Sequence, residues 1–138
     1  MEIIYILDGI EHAAAELITL TKDYKVFTFS GELGAGKTTL IAKICQGLGV
    51  QEPVSSPTYS IIQEYELPDE SLIYHMDLYR IKNISEAVDA GVEDCLLSNE
   101  LCFVEWPEIA TSLFPAQTIH IKLQTISSFK RKLVAQLP

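Results

Sequence analysis

Eight consecutive residues, Gly31-Glu32-Leu33-Gly34-Ala35-Gly36-Lys37-Thr38, match G-x-x-x-x-G-K-[ST] in full, and the chemistry of that pattern is phosphate binding. Its glycines let the backbone curl until several N–H groups face one anion. A helix starting near Lys37 would bring its positive dipole end to the same spot. Lys37 suits the β- and γ-phosphates, the Thr38 hydroxyl suits magnesium (Mg2+), and Thr39 offers a further donor to the α-phosphate. The bland alternative is a glycine-rich strand–helix turn with an exposed lysine. A strand-like segment before the loop and a helical one after it weigh against that alternative.

A magnesium-nucleotide site also needs a carboxylate facing Thr38, at the carboxyl end of a neighbouring strand. Leu101-Cys102-Phe103-Val104-Glu105 places an acid after four apolar residues, the pattern of a strand buried on both faces. If that strand lies parallel to 25–30, Glu105 arrives at the phosphate edge. Ile73-Tyr74-His75-Met76-Asp77 is the second candidate. In a hairpin pairing Glu66 with Ser71, Ser60 faces Asp77 and Thr58 lies just beyond. The proline-bounded stretch Val54-Ser55-Ser56-Pro57-Thr58 would then close over the γ-phosphate as a switch segment. Arg80 suits a phosphate, a partner or an exposed ion pair. His75, alternating with its neighbours, reads as a satisfied packing residue rather than a base. Trp106, the only tryptophan, suits the core, the nucleotide or a partner.

The elements that must position these residues are legible as a coarse pattern. Segments 2–7 and 25–30 read as strands, and 11–21 and 37–48 as helices. Segments 58–66 and 71–77 form a hairpin through a four-residue connection. Ser85 caps a short helix through Ala90, which Gly91 ends. A buried strand 101–105 is broken by Trp106-Pro107 and followed by a short helix to Leu113. A second hairpin pairs 117–124 with 129–136. The expected fold is one domain over residues 1–138: a three-layer α/β P-loop fold whose mixed central sheet is extended by antiparallel hairpins.

Composition bounds the remaining choices. The chain's 138 residues are 48% hydrophobic and 21% charged, a globular balance. No apolar run approaches the ~20 residues that span a bilayer, and the N-terminus does not look like a secretory signal, so the expected location is cytoplasmic. Cys45, Cys95 and Cys102 lack metal or disulfide spacing, which suits reduced thiols. A net charge of −9 argues against tight direct binding of nucleic acid and is compatible with a basic protein partner.

Four blocks in order are similar to the TsaE (YjeE) family: Gly31 to Thr39, then Ser56-Pro57-Thr58-Tyr59, then His75-Met76-Asp77-Leu78-Tyr79-Arg80, then Val104-Glu105-Trp106-Pro107-Glu108. The resemblance runs over about residues 11–108. It implies a small ATPase with ATP and Mg2+ as cofactors and TsaD and TsaB as partners. By the same resemblance, the implied role is to support threonylcarbamoylation of adenosine 37 in tRNAs that read codons beginning with A. By matching motif, Lys37 and Thr38 bind phosphate and magnesium, Glu105 is a metal-side carboxylate, Asp77 and Trp106 serve activity, and Thr58 belongs to the switch segment. His12 takes the place where the family often has a threonine near the adenine, and Arg131 corresponds to a nucleotide-contacting basic residue in the last hairpin.

A small-molecule kinase would need a second substrate pocket and a lid, for which the length leaves little room. A GTPase would need N-K-x-D, which Asn83-Ile84-Ser85-Glu86 does not match. An ABC-type ATPase would need a signature loop. The rival from another class is a nucleotide-gated binding module, in which ATP occupancy without turnover controls docking.

Overall fold

Val26–Ser30 (β2) lies at the centre of a seven-stranded sheet, with four of its five residues buried. The computed structural model describes residues 1–57 and 60–138, so Thr58 lies outside the described residues. In chain order the elements are β1 (Glu2–Ile6), α1 (Ile10–Ile18), β2, α2 (Lys37–Leu48), β3 (Ile62–Glu66), β4 (Leu72–Asp77), α3 (Ile84–Asp89), α4 (Val92–Leu96), β5 (Leu101–Glu105), β6 (Ile119–Thr125) and β7 (Lys130–Gln136). Short 3-10 turns occupy Leu7–Gly9, Thr19–Lys22 and Pro107–Leu113.

The strand order is β1-β7-β6-β2-β5-β4-β3. β2 runs parallel to both β5 and β6, and β4 runs parallel to β5. β3, β7 and β1 complete the sheet through antiparallel pairs. The mixed, hairpin-extended sheet of the sequence reading is therefore observed.

Strand alternation divides the core in two. Phe27, Phe29, Phe103, Ile73 and Ile121 pack with α1 and α2 residues such as Leu17, Leu40 and Ile44. Phe103 meets both Phe27 and Phe29 edge-on, with centroids 5.6 and 6.0 Å apart. On the other face, Val26, Met76, Cys102 and Val104 pack with Ala87, Val92 and Leu96. That gives helix, sheet and helix layers. The period of two also decides the site: Ile73, His75 and Asp77 share a face, as do Leu101, Phe103 and Glu105, and it is the α2 face.

Three details differ from the sequence reading. The first hairpin pairs Glu66 with Leu72, so Asp77 accepts no partner at Ser60 and instead donates its backbone N–H to Ile61 O at 3.0 Å. The reason is an extra residue in the turn. Glu70 takes a positive φ of 73°, its N–H bonds Leu67 O, and Asp69 accepts from the Ser71 backbone N–H, so a tight turn is closed by a left-handed residue. The α3 cap is Asn83, whose side chain accepts from Glu86 N at 2.9 Å, in place of Ser85. Gly91 ends α3 and starts α4, a five-residue helix too short for a period to show.

Cys45, Cys95 and Cys102 are free thiols, and burial pushes Cys45 and Cys102 up to about 12. Among the described residues no helix is long and apolar enough to cross a membrane.

Gly31 connects β2 to the loop with φ +147°, and a Cβ there would stand 2.5 Å from Leu123 O of β6. Gly34 also has a positive φ, +83°, but a Cβ there meets nothing within 4 Å. Gly31→Ala is therefore expected to destabilise the protein more than Gly34→Ala by about 1 kcal/mol or more, since it adds a backbone collision to the conformational strain. Urea midpoints of the two variants check this, and equal midpoints would contradict it.

Candidate functional site

The residues Gly31 to Gly36 wrap the N-terminus of α2, which begins at Lys37. Gly36 holds φ +97° at the cap position, a left-handed turn that favours glycine. Arg131, on β7, grips this loop from the side. Its Nε donates to Ala35 O at 3.1 Å, and its guanidinium also bonds Ser127 O at 2.8 Å and Lys130 O at 3.1 Å. In a trans peptide the carbonyl and the next N–H point in opposite directions. Holding Ala35 O therefore aims the Gly36 N–H away from Arg131.

Lys37 is 5% exposed, and its ammonium rests on neutral groups. It donates to Gly31 O at 2.6 Å and Glu32 O at 3.0 Å, and sits 4.0 Å from the centre of the Trp106 ring. Burial pulls the Lys37 ammonium below the usual lysine range, and the negative Glu105, Glu108 and Asp77 oppose that shift. A buried cation held by carbonyls and a π face is well prepared to take an anion. Trp106 reaches it through a left-handed backbone, φ 55° and ψ 59°, between the end of β5 and Pro107. Such a conformation costs a non-glycine residue about 1–3 kcal/mol. Tyr79 also packs against the indole, with centroids 4.9 Å apart.

Thr38 Oγ1 donates to Glu105, 2.8 Å from Oε1 and 3.0 Å from Oε2. Glu105 is 3% exposed. Asp77 stands opposite it in the β4–β5 register, so two carboxylates lie side by side at parallel strand ends. Like charges so placed repel, and each is held by donors. Ser56 Oγ reaches Asp77 Oδ2 at 3.0 Å, and Tyr79 N reaches Oδ1 at 3.0 Å. His75 Nε2 stands 2.6 Å from Glu105 Oε2.

Loop and carboxylates face a common cleft of about 390 Å³. Its lining includes Lys37, Thr38, Thr39, Asp77, Glu105 and Trp106. The two conditional placements of Asp77 and Glu105 thus hold: both strands run parallel to β2 and end at the loop. His12, exposed on α1, does not line that cleft, and Arg131 contributes through the loop's backbone.

The oxygen donors here suit a hard cation. Thr38 spends its hydrogen on Glu105 and keeps lone pairs for a metal. Among the described residues no three carboxylates, histidines or cysteines cluster closely enough to cage an ion. A cation at this edge would take its remaining ligands from phosphate and water, as Mg2+ characteristically does.

The family model described as "Threonylcarbamoyl adenosine biosynthesis protein TsaE" matches residues 7–133. The chain belongs to the TsaE family. Two relatives of the same description, "tRNA threonylcarbamoyladenosine biosynthesis protein TsaE", are similar to it over most of its length. That of Treponema pallidum is 32% identical over 114 residues, covering 83% of each chain. That of Haemophilus influenzae is 36% identical over 108 residues, covering 78% of this chain and 68% of its own. Among solved structures, the crystal structure of Bacillus subtilis YdiB superposes with a TM-score of 0.72 at 26% identity, covering 100% of this chain and 86% of that one. In this TsaE-family chain His75 is the site residue that sequence reasoning missed. Its period-two spacing from Asp77 put it on the same face of β4 but carried no sign of its bond to Glu105.

Arg131→Lys and Arg131→Met are both expected to destabilise the TsaE-family fold by about 1.5–3 kcal/mol, because a single ammonium cannot reproduce the separate Nε and Nη1 donor positions of the guanidinium and methionine has no donor at all. Amide exchange at Gly36 should accelerate in both variants. Wild-type protection at Gly36 in Arg131→Met would contradict the loop-holding role.

Proposed function

We propose that this chain binds ATP with magnesium in the cleft and hydrolyses it in support of threonylcarbamoyladenosine modification at position 37 of tRNA, together with TsaD and TsaB proteins. The observation that carries this reading is the hydrogen bond from Thr38 of the loop to Glu105, with Asp77 in register beside it. That bond joins the phosphate loop to a carboxylate edge, the two halves that nucleotide hydrolysis needs. The process is the one the family is named for, and the partners are those implied by the resemblance in sequence.

In the reaction, the loop N–H groups and Lys37 hold the β- and γ-phosphates, and Thr39 serves the α-phosphate. Gly31, Glu32, Leu33, Gly34, Ala35 and Gly36 form the cradle, with Arg131 acting on it through Ala35 O. Magnesium, when bound, neutralises charge on the phosphate oxygens. Thr38 would ligate it, and Asp77 and Glu105 would hold the metal, its waters or the attacking water. Water oxygen bonds the γ-phosphorus as the bridging P–O bond breaks toward ADP. Trp106 roofs the Lys37 ammonium, Thr58 belongs to the segment expected to close over the site, and His12 is assigned to the adenine side by family position.

Among the described residues lining the cleft, Lys37 is the one cation. No arginine finger is supplied there, so hydrolysis is expected to be slow alone and faster with partners. The same feature favours the second reading, in which ATP occupancy itself controls docking. With a net charge of −9, the chain is assigned no tight direct contact with tRNA.

Lys37→Ala is expected to weaken ATP binding by about 2–4 kcal/mol, roughly 30- to 1,000-fold, read by calorimetry. In multiple-turnover threonylcarbamoylation with the two partners, product should stall near one turnover without this chain and with Lys37→Ala. If the chain binds ATP but leaves turnover unchanged, the nucleotide site stands and the assigned process fails. If Glu105→Gln binds ATP, does not hydrolyse it and still restores turnover, gating replaces hydrolysis.

A further inference from the structure

His75 is completely buried in β4, between Ile73 and Asp77 on the α2 face. Across the pair with β5 it faces Phe103, and its ring reaches diagonally along the strand to Glu105. A carboxylate only accepts hydrogen bonds, so the hydrogen between them is on Nε2. That leaves Nδ1, which is the buried side-chain polar atom without a partner among the described residues. An unmatched buried polar atom costs about 1–3 kcal/mol. Ile73 and Phe103 give this face apolar packing, so a leucine or methionine would fill the position without that cost. A histidine at that position is explained by what its other nitrogen does.

We propose that His75 is a positioning residue for the metal edge: its Nε2–H holds Glu105 Oε2 and so fixes the orientation in which the carboxylate meets Thr38 and the cation. Two donors then converge on one carboxylate: His75 Nε2–H on Oε2, and the Thr38 hydroxyl between Oε1 and Oε2 at 2.8 and 3.0 Å. With both donors in place the Thr38 hydroxyl has a fixed hydrogen direction, and its lone pairs have a fixed direction too. Without His75, Glu105 can rotate, and the Thr38 hydroxyl loses the acceptor geometry that turns its oxygen toward the metal. Partners one layer behind the ligands commonly set metal affinity by 10- to 100-fold. This inference rests on the magnesium-nucleotide reading and adds to it the residue that orients its carboxylate.

The test uses three substitutions that fill the same space differently. His75→Gln can place a side-chain N–H near the Nε2 position. His75→Asn reaches only as far as Nδ1, and His75→Met is apolar. ADP affinity is measured by calorimetry without magnesium and across a magnesium titration, with urea midpoints alongside. The expected result is that all variants bind metal-free ADP as the wild type does. His75→Asn and His75→Met should need about tenfold or more extra magnesium for the same gain in affinity, and His75→Gln should stay close to wild type.

Wild-type magnesium dependence in His75→Met would overturn the proposal. So would a His75→Gln variant no better than His75→Met, or losses that follow the urea midpoints and extend to metal-free binding, which is the pattern of simple packing. If the wild-type protein itself gains no ADP affinity from magnesium, the magnesium reading fails and this inference with it. A wild type that responds alongside variants that do not differ sinks the inference alone.

Discussion

Glu105 closes a strand whose residues are all buried, and a carboxylate in that position survives only while donors reach it. The donors come from two different elements. Thr38 arrives from the first turn of α2, and His75 from the adjacent strand β4. The bond to Thr38 therefore does more than satisfy an acid. It ties the loop–helix unit that would cradle phosphate to the sheet edge that would serve the metal, and it requires β5 to lie beside β2, parallel and in the register Phe29 opposite Glu105. Asp77 enters the same arrangement because β4 continues the parallel order by one strand.

Several costly features converge on this edge. Trp106 holds a left-handed backbone, Lys37 is buried without a direct carboxylate contact among its described hydrogen bonds, and two carboxylates lie in neighbouring register. None of these improves the core, which is already filled by Phe27, Phe29 and Phe103 on one face and Met76, Cys102 and Val104 on the other. Concentrated strain, buried charge and aligned donors around a cleft are the marks of a site where binding energy offsets structural cost. The C-terminal hairpin belongs to this economy as well. It covers Gly31 through Leu123 O and holds Ala35 O through Arg131, so the loop is braced by residues distant in sequence.

The phosphate loop was legible because its chemistry depends on local residue order, with glycines at the sharp turns and Lys37-Thr38 at the helix start. Glu105 was legible for a similar reason, as an acid closing an apolar run. What composition could not supply was partner geometry. The parallel alignment of Asp77 and Glu105 was only a condition until strand order was known. The hairpin register moved by one because Glu70, not a glycine or asparagine, takes the left-handed turn position. His75 was read as packing since burial and hydrogen bonding to a residue 30 positions away leave no trace in spacing. Arg131 was matched to the nucleotide, and its bond to Ala35 O shows a role that depends on the curl of a loop formed far earlier in the chain. Short elements such as α4 escaped for want of length.

The most direct test of a magnesium-nucleotide site at the Thr38–Glu105 junction is the anomalous scattering of manganese in crystals grown with Mn2+ and a non-hydrolysable ATP analogue. The account predicts a single strong peak in contact with Thr38 Oγ1, on the side facing Glu105 and Asp77, with the β- and γ-phosphates against the Gly31–Thr38 loop. A fully occupied nucleotide whose manganese peak lies away from Thr38, or whose phosphates lie outside the loop, would contradict it.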